Sequence, residues 1–343
     1  MKRRLRYLLA FCLVAILPLV ADAANKYDNP DTLVVARDGT GEFRNISEAI
    51  EVCRAFMEYH KVIYIKKGTY KEKIIIPQWL TNIELCGEDR DQTVITWDDH
   101  ANIPVALAMG SWTPDVANEL RPHDGRQKIG TFRTFTLKIQ GSRITLKNLT
   151  VENNSARLGQ AVALHADGDR LTFVNCRFLG HQDTVYTGNA HCRQYFKNCY
   201  IEGTTDFIFG PSTAWFEQCD IRCKANSYIT AASTPQDVPY GYIFNNCRIS
   251  CDEGVSKVFL GRPWRDYGYT LFMNCELPAQ IRPEGWHHWQ KERENTARYL
   301  EYNNRGEGAA TGQRVTWSRQ LTKKEAAQMT LSNVFHIDTT WEP

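Results

Sequence analysis

Residues 173–210 read FVNCRFLGHQDTVYTGNAHCRQYFKNCYIEGTTDFIFG and contain one pattern twice. The pattern Asn-Cys-x3-Gly-x2-Asp ends first at Asp183 and again at Asp206, 23 residues later. Gln160 precedes Asp183 by the same 23 residues. Equal spacing of about 20 to 30 residues is typical of a solenoid, in which each coil stacks on the previous one. We therefore predict that Gln160, Asp183 and Asp206 form a column of side chains, one coil apart.

Cysteines continue the repeat beyond this stretch. Five of them, each preceded by Asn or Gln, follow one another at intervals of 23, 20, 28 and 28 residues: Cys176, Cys199, Cys219, Cys247 and Cys275. Because free cysteine is among the most buried residue types, we predict that these side chains stack inside successive coils, where the preceding Asn or Gln turns the chain. Cys223 and Cys251 repeat the interval of 28, and the sequence leaves open whether they stack or form a disulfide. Paired Cys-x2-Cys spacing, typical of zinc sites, is absent.

The first 23 residues have the pattern of a secretory signal peptide. A basic start (Lys2 to Arg6) precedes an apolar run, Tyr7 to Val20, and Ala21-Asp22-Ala23 is a small-x-small cleavage pattern. We therefore predict a chain of residues 24–343 that is secreted or periplasmic. That chain carries 37 basic and 38 acidic residues. This balance favours neither a nucleic-acid partner nor a polybasic contact with a membrane.

Short β-branched segments separated by turns follow the predicted signal, for example Val62–Ile65 and Ile74–Ile76. They are typical of an all-β fold. Apolar spacing predicts a helix from Ser47 to Tyr59 that closes the N-terminal end of the solenoid. A second, short helix is predicted from Leu321 to Met329. Residues 97–130 form a polar, turn-rich insert that we interpret as a surface loop, and the regular repeat is expected from about 131 to 280.

A column that contains two carboxylates implies chemistry. Side chains on adjacent strands lie about 4.8 Å apart, so Asp183 and Asp206 cannot both ionise freely and one pKa must rise. This gives one acid that can donate a proton and one anion that can attack. An Asp in a turn often only satisfies backbone groups. Here, Arg262 between Gly261 and Pro263 could orient a carboxylate, and Trp264 could stack on a sugar ring.

Three reactions fit two carboxylates beside an arginine. A retaining glycosidase uses such a pair, a β-eliminating lyase needs a strong base, and an esterase can use a carboxylate nucleophile with amide donors. Gln160 and Gln182 favour the esterase, because neutral amides suit a developing oxyanion. No Gly-x-Ser-x-Gly segment is present, which argues against a serine hydrolase.

Short blocks spread over the chain resemble the pectin methylesterase family when they are taken in order. The blocks are 34–43 (VVARDGTGEF), 68–72 (GTYKE), 160–164 (QAVAL), 180–186 (GHQDTVY), 206–210 (DFIFG), 260–264 (LGRPW), 283–286 (PEGW) and 299–302 (YLEY). Each block is weak alone, but together they cover nearly the whole chain after residue 23. The insert at 97–130 is longer than this resemblance leads us to expect.

The resemblance implies a right-handed, single-stranded parallel β-helix that needs no metal and no cofactor. It implies that Asp206 is the nucleophile, that Asp183 is the general acid and base, and that Arg262 holds Asp206. Gln160 and Gln182 would stabilise the oxyanion. Substrate contacts are expected from Trp264, Tyr186 and Phe207.

The expected substrate is pectin, meaning methyl-esterified polygalacturonate, and the protein is expected to be a monomer that spans residues 24–343 as one domain. Two other hypotheses remain at this point. A related esterase could act on a different uronate ester or on a thioester, and the unusual insert motivates that possibility. A non-catalytic carbohydrate-binding β-helix is the third hypothesis, although a binding protein has no need for a close acid pair.

Overall fold

Three parallel β-sheets run along one axis and form the body of the protein. The computed structural model describes residues 26–336, 341 and 343, and the predicted signal at 1–23 lies outside them. The first strands are β1 (Leu33–Val35), β2 (Lys61–Ile65), β3 (Gly68–Lys71), β4 (Ile74–Ile76), β5 (Ile83–Gly87), β6 (Thr93–Trp97), β7 (Leu137–Ile139), β8 (Thr145–Lys147), β9 (Thr150–Asn153), β10 (Leu164–Ala166), β11 (Leu171–Val174) and β12 (Arg177–Leu179). The later strands are β13 (Val185–Thr187), β14 (Arg193–Lys197), β15 (Tyr200–Gly203), β16 (Ile208–Gly210), β17 (Thr213–Glu217), β18 (Asp220–Cys223), β19 (Tyr228–Ala232), β20 (Tyr242–Asn245), β21 (Arg248–Cys251), β22 (Phe259–Gly261), β23 (Tyr269–Met273), β24 (Arg298–Tyr302) and β25 (Arg319–Gln320).

Each of the seven coils from β2 to β22 contributes one strand to each sheet, and β1, β23, β24 and β25 extend only the long sheet. The long sheet has the order β1-β2-β5-β8-β11-β14-β17-β20-β23-β24-β25. A second sheet has the order β4-β7-β10-β13-β16-β19-β22, and we call it the cleft sheet because a cavity opens on it. The third sheet has the order β3-β6-β9-β12-β15-β18-β21. Crossovers between parallel strands are right-handed for steric reasons. The fold is therefore a right-handed parallel β-helix, as predicted, and its coils begin at β2, well before residue 131.

Like residues stack on one another inside the helix. Five phenylalanine rings lie one above the next with centroids 4.3 to 4.6 Å apart, and they are Phe173, Phe196, Phe216, Phe244 and Phe272. The five cysteines of the repeat are buried beside them, and each thiol donates to a carbonyl of the preceding coil, for example Cys247 Sγ to Phe216 O at 3.3 Å. The residue before each cysteine has a positive φ of 52° to 57°. The prediction of buried cysteines behind a turning Asn or Gln is confirmed.

The strand register confirms that Asp183 and Asp206 are neighbours in the predicted column but excludes Gln160 from it. Val185 pairs with Ile208, so the offset of 23 residues places Asp183 beside Asp206. Leu164 pairs with Val185, which is an offset of only 21. Val162, not Gln160, therefore occupies the level of Asp183, and Gln160 lies two residues outside the column. Its interval of 23 is a coincidence of loop length.

Short helices close both ends. Helix α1 (Ile46–Glu51) is only six residues long, so the predicted helix of Ser47–Tyr59 was too long. Its N-terminus is capped by a distant carboxylate, because Glu72 accepts from the backbone N–H groups of Ile46 and Ser47 at 2.9 and 3.0 Å. In the part of the chain that the structure describes, 3-10 helices lie at Thr131–Arg133, Arg293–Asn295 and Glu307–Ala309.

The C-terminal end carries two short helices where the sequence predicted one. Helix α4 (Lys323–Ala326) lies inside the predicted range of Leu321–Met329 and begins with a capping box made by Thr322 and Glu325. Helix α5 (Leu331–Phe335) was not predicted. Val334 and Phe335 are buried in a cluster that covers the outer face of the long sheet.

The insert is more ordered than a surface loop. It contains helices α2 (Val105–Ser111) and α3 (Pro114–Leu120), and both pack against the cleft sheet. A buried ion pair anchors it. Lys73 Nζ lies 2.9 Å from Asp99 Oδ2, and the same carboxylate accepts from Trp112 Nε1 at 2.7 Å. The prediction of a plain loop was wrong, because the apolar residues of the insert bury themselves on the neighbouring coils.

Within residues 26–336, no helix is long and apolar enough to cross a bilayer.

Candidate active site

A cavity of about 200 Å³ opens on the cleft sheet at the level of the aspartate column. Ten residues line it: Thr131, Phe132, Gln160, Gln182, Asp183, Asp206, Phe209, Ala231, Trp264 and Trp289. Five of the eight residues predicted for the site are therefore brought together here. Apart from the sequence neighbours Gln182 and Asp183, they come from separate coils, and only the stacking of the coils makes them neighbours.

The repeated Gly-x-x-Asp turn presents each carboxylate in the same way. Asp183 and Asp206 have φ angles of 66° and 48°, a region that non-glycine residues adopt rarely and that Asp tolerates better than most. A Cβ on Gly203 would lie 2.2 Å from the Cβ of Phe207, so this turn closes only over a glycine. Gly180 is similarly tight, because a Cβ there would lie 2.8 Å from Thr184 Oγ1.

Arg262 forms a bidentate ion pair with Asp206. Its Nε lies 2.9 Å from Oδ1 and its Nη2 lies 2.6 Å from Oδ2. The guanidinium is itself held between two aromatic rings, with its central carbon 3.9 Å from the ring centroids of Tyr228 and Trp289. This fork geometry fixes the direction of the carboxylate, and the stacked rings leave the guanidinium little freedom to turn.

The surroundings act differently on the pKa values of the two carboxyl groups. Burial raises the pKa of Asp183 well above its ordinary value, and the neighbouring Asp206 raises it further. Burial also raises the pKa of Asp206, but the hydrogen bonds and charge of Arg262 oppose that rise. Of the two groups, Asp183 therefore holds a proton more tightly, because Arg262 favours the ionised form of Asp206.

Gln182 lies on the turn before Asp183, and Gln160 reaches the same cavity from the coil below. A backbone hydrogen bond of 3.0 Å from Ala161 N to Gln182 O ties the two segments together. Gln160 therefore enters the site although it lies outside the column. Side-chain amides at these positions offer N–H donors next to both carboxylates.

The predicted substrate contacts have three different outcomes. Trp264 lines the cavity, with its ring 5.9 Å from that of Phe209. Tyr186 lies beside the cavity rather than in its lining, and its ring packs against His165 and Phe132 at 4.7 and 4.9 Å. Phe207 is fully buried in the interior of the β-helix. The assignment of Phe207 to substrate contact was wrong, because the left-handed turn at Asp206 sends the next side chain inward.

Several residues of the site were missed. Phe209 takes the position expected for Phe207, and Thr131 and Phe132 form a wall at the end of the insert. Tyr228 follows Asp206 by 22 residues, and the register places it one coil further along the column, so extending the repeat would have found it. Trp289 follows the last coil of the cleft sheet, and no spacing signal points to it.

This arrangement suits acyl transfer to water. It holds an oriented carboxylate, a carboxylic acid next to it and amide donors around them, in a partly apolar cavity. Among the residues that the structure describes, no group of three or more His, Cys, Asp or Glu side chains is placed to hold a metal ion.

Comparison with known sequences identifies one family. The family model described as pectinesterase matches residues 32–111 and 120–338, so the gap falls in the insert, at α3. The chain is 35% identical over 297 residues to pectinesterase 31 of Arabidopsis thaliana, which covers 85% of this chain and 88% of that protein. It is also 35% identical to a probable pectinesterase/pectinesterase inhibitor of Brassica napus, of which it spans only 50% of the length.

Solved structures agree with this result. The fold is similar to that of the pectin methylesterase from carrot, with a TM-score of 0.77 at 30% identity, covering 90% of this chain and 93% of that one. It is also similar to a pectin methylesterase in complex with a hexasaccharide, with a TM-score of 0.74 at 28% identity, covering 91% of this chain and 98% of that one.

Proposed function

The chain belongs to the pectinesterase family of carboxylic ester hydrolases, and we propose that it hydrolyses the C6 methyl ester of methyl-esterified polygalacturonate. The products would be methanol and a polymer with free carboxylates. The names of its relatives support this substrate, and so does the hexasaccharide held by a related enzyme.

The proposed nucleophile is Asp206. Its ionised carboxylate would attack the ester carbonyl carbon and form a tetrahedral intermediate. Arg262 keeps Asp206 oriented through the bidentate pair at 2.9 and 2.6 Å and keeps it ionised against the effect of burial. The aromatic rings around the guanidinium hold that pair in one position.

Asp183 is the proposed acid and base. Because its pKa is raised, it carries a proton that it can donate to the departing methanol oxygen. The resulting acyl-enzyme is an anhydride between Asp206 and the substrate. The Asp183 carboxylate then removes a proton from water, which attacks this anhydride and regenerates both groups.

Gln160 and Gln182 are proposed to donate hydrogen bonds to the oxyanion of both tetrahedral intermediates. Phe209 and Trp264 would cover the sugar and its methyl group from the apolar side of the cavity, and Tyr186 would support that wall from behind. No metal or cofactor has a part in this sequence of steps.

One observation carries the proposal. The same cavity contains a carboxyl group bound by Arg262, Asp206, and beside it a second one, Asp183, whose pKa is raised by burial and by Asp206. A carbohydrate-binding protein gains nothing from this pair, since burying two acids costs free energy and adds no contact that a hydroxyl or an amide could not make.

The decisive assay is methanol release from highly methylated pectin. The wild type should release methanol, and an Asp183→Asn/Asp206→Asn double variant purified in parallel should release none, which controls for contaminating esterases. Generic acyl esters and thioesters serve as competitors to the assignment. Faster turnover of those substrates than of methylated oligogalacturonates would replace pectin with another ester, and tight pectin binding without turnover would make this a binding protein.

The pH dependence of the rate tests the acid–anion pair separately. We expect the rate to fall on the acid side, where Asp206 becomes protonated, and on the alkaline side, where Asp183 loses its proton. The two apparent pKa values belong to the pair rather than to single residues. A flat profile between about pH 4 and 9 would contradict the mechanism.

We further propose that the protein is exported, that residues 24–343 form one domain and that it acts as a monomer. N-terminal sequencing of the protein recovered outside the cytoplasm would check the cleavage near Ala24. Light scattering would check the monomer.

A further inference from the structure

We propose that Cys223 and Cys251 are a disulfide-forming site, the one place among the described coils where this protein is built to be cross-linked by oxidation. The pair lies on the third sheet, away from the cavity lining. Nothing in the proposed ester hydrolysis uses these thiols.

Strand register brings the two cysteines together. Cys223 at the end of β18 is the direct partner of Cys251 at the end of β21. Adjacent parallel strands place paired Cα atoms about 4.8 Å apart, inside the range of about 4.4 to 6.8 Å that a disulfide requires. Both side chains point to the same face, since Ile221 and Ile249, two residues earlier on each strand, are both buried.

The pair is isolated from other thiols. On the side opposite Cys251, the register partner of Cys223 is Gly203, which has no side chain. The five-cysteine stack differs, because Cys199, Cys219 and Cys247 each have a cysteine on either side. Cys251 is therefore the one cysteine among the strand partners of Cys223.

Solvent access also distinguishes this pair. The five stacked cysteines are at most 2% exposed. Cys251 is half-buried, because β21 is the edge strand of the third sheet and no further strand covers it. Contact with the Cys223 thiol lowers the pKa of Cys251, whereas burial raises the pKa of Cys53 and Cys192 to about 11. Reactive cysteines are accessible and have lowered pKa values, and Cys251 meets both conditions.

The chemistry is thiol–disulfide exchange with a small disulfide such as oxidised glutathione. The Cys251 thiolate attacks one sulfur of oxidised glutathione and releases one glutathione thiolate. Cys223 then loses its proton and attacks the Cys251 sulfur of the mixed disulfide, which releases the second glutathione. The protein loses two protons and two electrons, and the oxidant gains them as two thiols.

The cross-link would brace the turns that carry the site. The segment after Cys223 leads directly to Tyr228, and the segment after Cys251 leads to Arg262. These segments already share a contact, because Asn226 Oδ1 accepts from the N–H groups of Ser256 and Lys257 at 2.7 and 2.9 Å. A disulfide that closes a loop of this length stabilises mainly by restricting the unfolded chain.

The experiment treats the purified full protein with oxidised glutathione, blocks free thiols under denaturing conditions and maps the cysteines by mass spectrometry. We expect eight of the ten cysteines from Cys53 onward to be blocked, with one disulfide between Cys223 and Cys251. The melting temperature should rise by several degrees and return when a reductant is added.

Variants make the result specific. Cys251→Ser should abolish both the cross-link and the temperature shift. Cys86→Ser is the matched control, because Cys86 is also half-buried but its strand partners Tyr64 and Lys147 carry no thiol, and this variant should behave as the wild type. Blocking of all ten thiols after oxidation, a bond mapped elsewhere, or a cross-link that survives in Cys251→Ser would overturn the proposal.

Discussion

The phenylalanine stack inside the β-helix and the aspartate column on the cleft sheet are both built by repeating one position in successive coils. The stack stabilises the fold, whereas the column forms the candidate active site. Both place one side chain per coil at a spacing set by strand pairing. In the stack, every level carries the same apolar ring, so each coil adds contacts that stabilise the next. In the column, the levels are Asp183, Asp206 and Tyr228, and the two acids raise each other's free energy.

The comparison shows that the phenylalanine stack increases the stability of this protein and that the aspartate column decreases it. Like residues in register are favourable when they are apolar or when they can hydrogen-bond along the stack, as Asn245, Asn274 and Asn303 do. Carboxylates in register are unfavourable unless a cation compensates, and only Asp206 has one within bonding distance. The site therefore depends on the stack to hold it together.

The largest expected effect is on activity in Asp206→Asn. This change removes the nucleophile, so kcat for methanol release should fall by about 10⁴-fold or more. Stability should change by less than about 1 kcal/mol, because Asn keeps the shape of Asp and one acceptor for Arg262. Activity assays and chemical denaturation of the same preparation check both halves. Near-wild-type kcat would remove Asp206 from the mechanism.

In the stack, the equivalent change acts on stability. Phe216→Ala should lower the free energy of unfolding by about 4 kcal/mol, because it leaves a cavity between Phe196 and Phe244 in a fully buried position. The activity of the folded fraction should stay within about twofold of the wild type. Phe216→Leu is the matched control and should lose much less. A loss below about 1 kcal/mol for the alanine variant would mean that the stack is not a principal source of stability.

The asparagine stack offers a smaller and more selective test. Asn274 has a φ of 57°, donates to Asn245 at 2.9 Å and accepts from Asn303 at 2.9 Å. Asn274→Ala should cost about 2 kcal/mol, because it loses these hydrogen bonds and because Ala tolerates the left-handed conformation less well than Asn. Asn274→Gly loses only the hydrogen bonds and should cost about 1 kcal/mol. Thermal unfolding should rank the alanine variant below the glycine variant, and the reverse order would show that the turn imposes no strain.

The smallest expected effect is a gain in stability at the site. The pKa of Asp183 is raised in the folded protein, so the folded state binds this proton more tightly than the unfolded chain. That contribution is complete below the ordinary pKa near 4 and is lost as pH rises through the folded-state pKa.

Asp183→Asn removes the ionisable carboxyl group and therefore also the fall in stability that its ionisation causes as pH rises. The variant should therefore be more stable than the wild type at pH 7, by about 1 kcal/mol, and no more stable at pH 3 to 4. Melting temperatures measured across this range check the sign. A variant less stable than the wild type at pH 7 would mean that Asp183 is not destabilised by its surroundings.

Much of the fold could be predicted because residues that stack in successive coils recur in the sequence at intervals equal to the length of one coil. The intervals 23, 20, 28 and 28 between the cysteines equal the register offsets of the third sheet, for example Arg177 with Tyr200 and Tyr200 with Asp220. The same spacing set Asp183 beside Asp206, and Arg262 was chosen correctly from its local surroundings.

Other parts of the site depend on features that spacing does not contain. Gln160 keeps the interval but not the level, because a loop between β10 and β13 changed the offset to 21. Phe207 faces the interior and Phe209 faces the cavity, because the positive φ at Asp206 interrupts the alternation of a regular strand. The insert is helical and packs on the β-helix because apolar residues such as Val116 and Leu120 contact coils that are distant in sequence.

The sequence by itself therefore determined the solenoid, the turns that precede the buried cysteines and the neighbouring acid pair, since each depends on contacts between successive repeats. Only the tertiary structure decided how the insert closes the cavity and which ring faces it. It also decided that Tyr228 and Trp289 hold the guanidinium of Arg262. The physical reason is range: a repeat interval encodes the contact between one coil and the next, whereas contacts between the coils and the loops that cross them depend on how the whole chain packs.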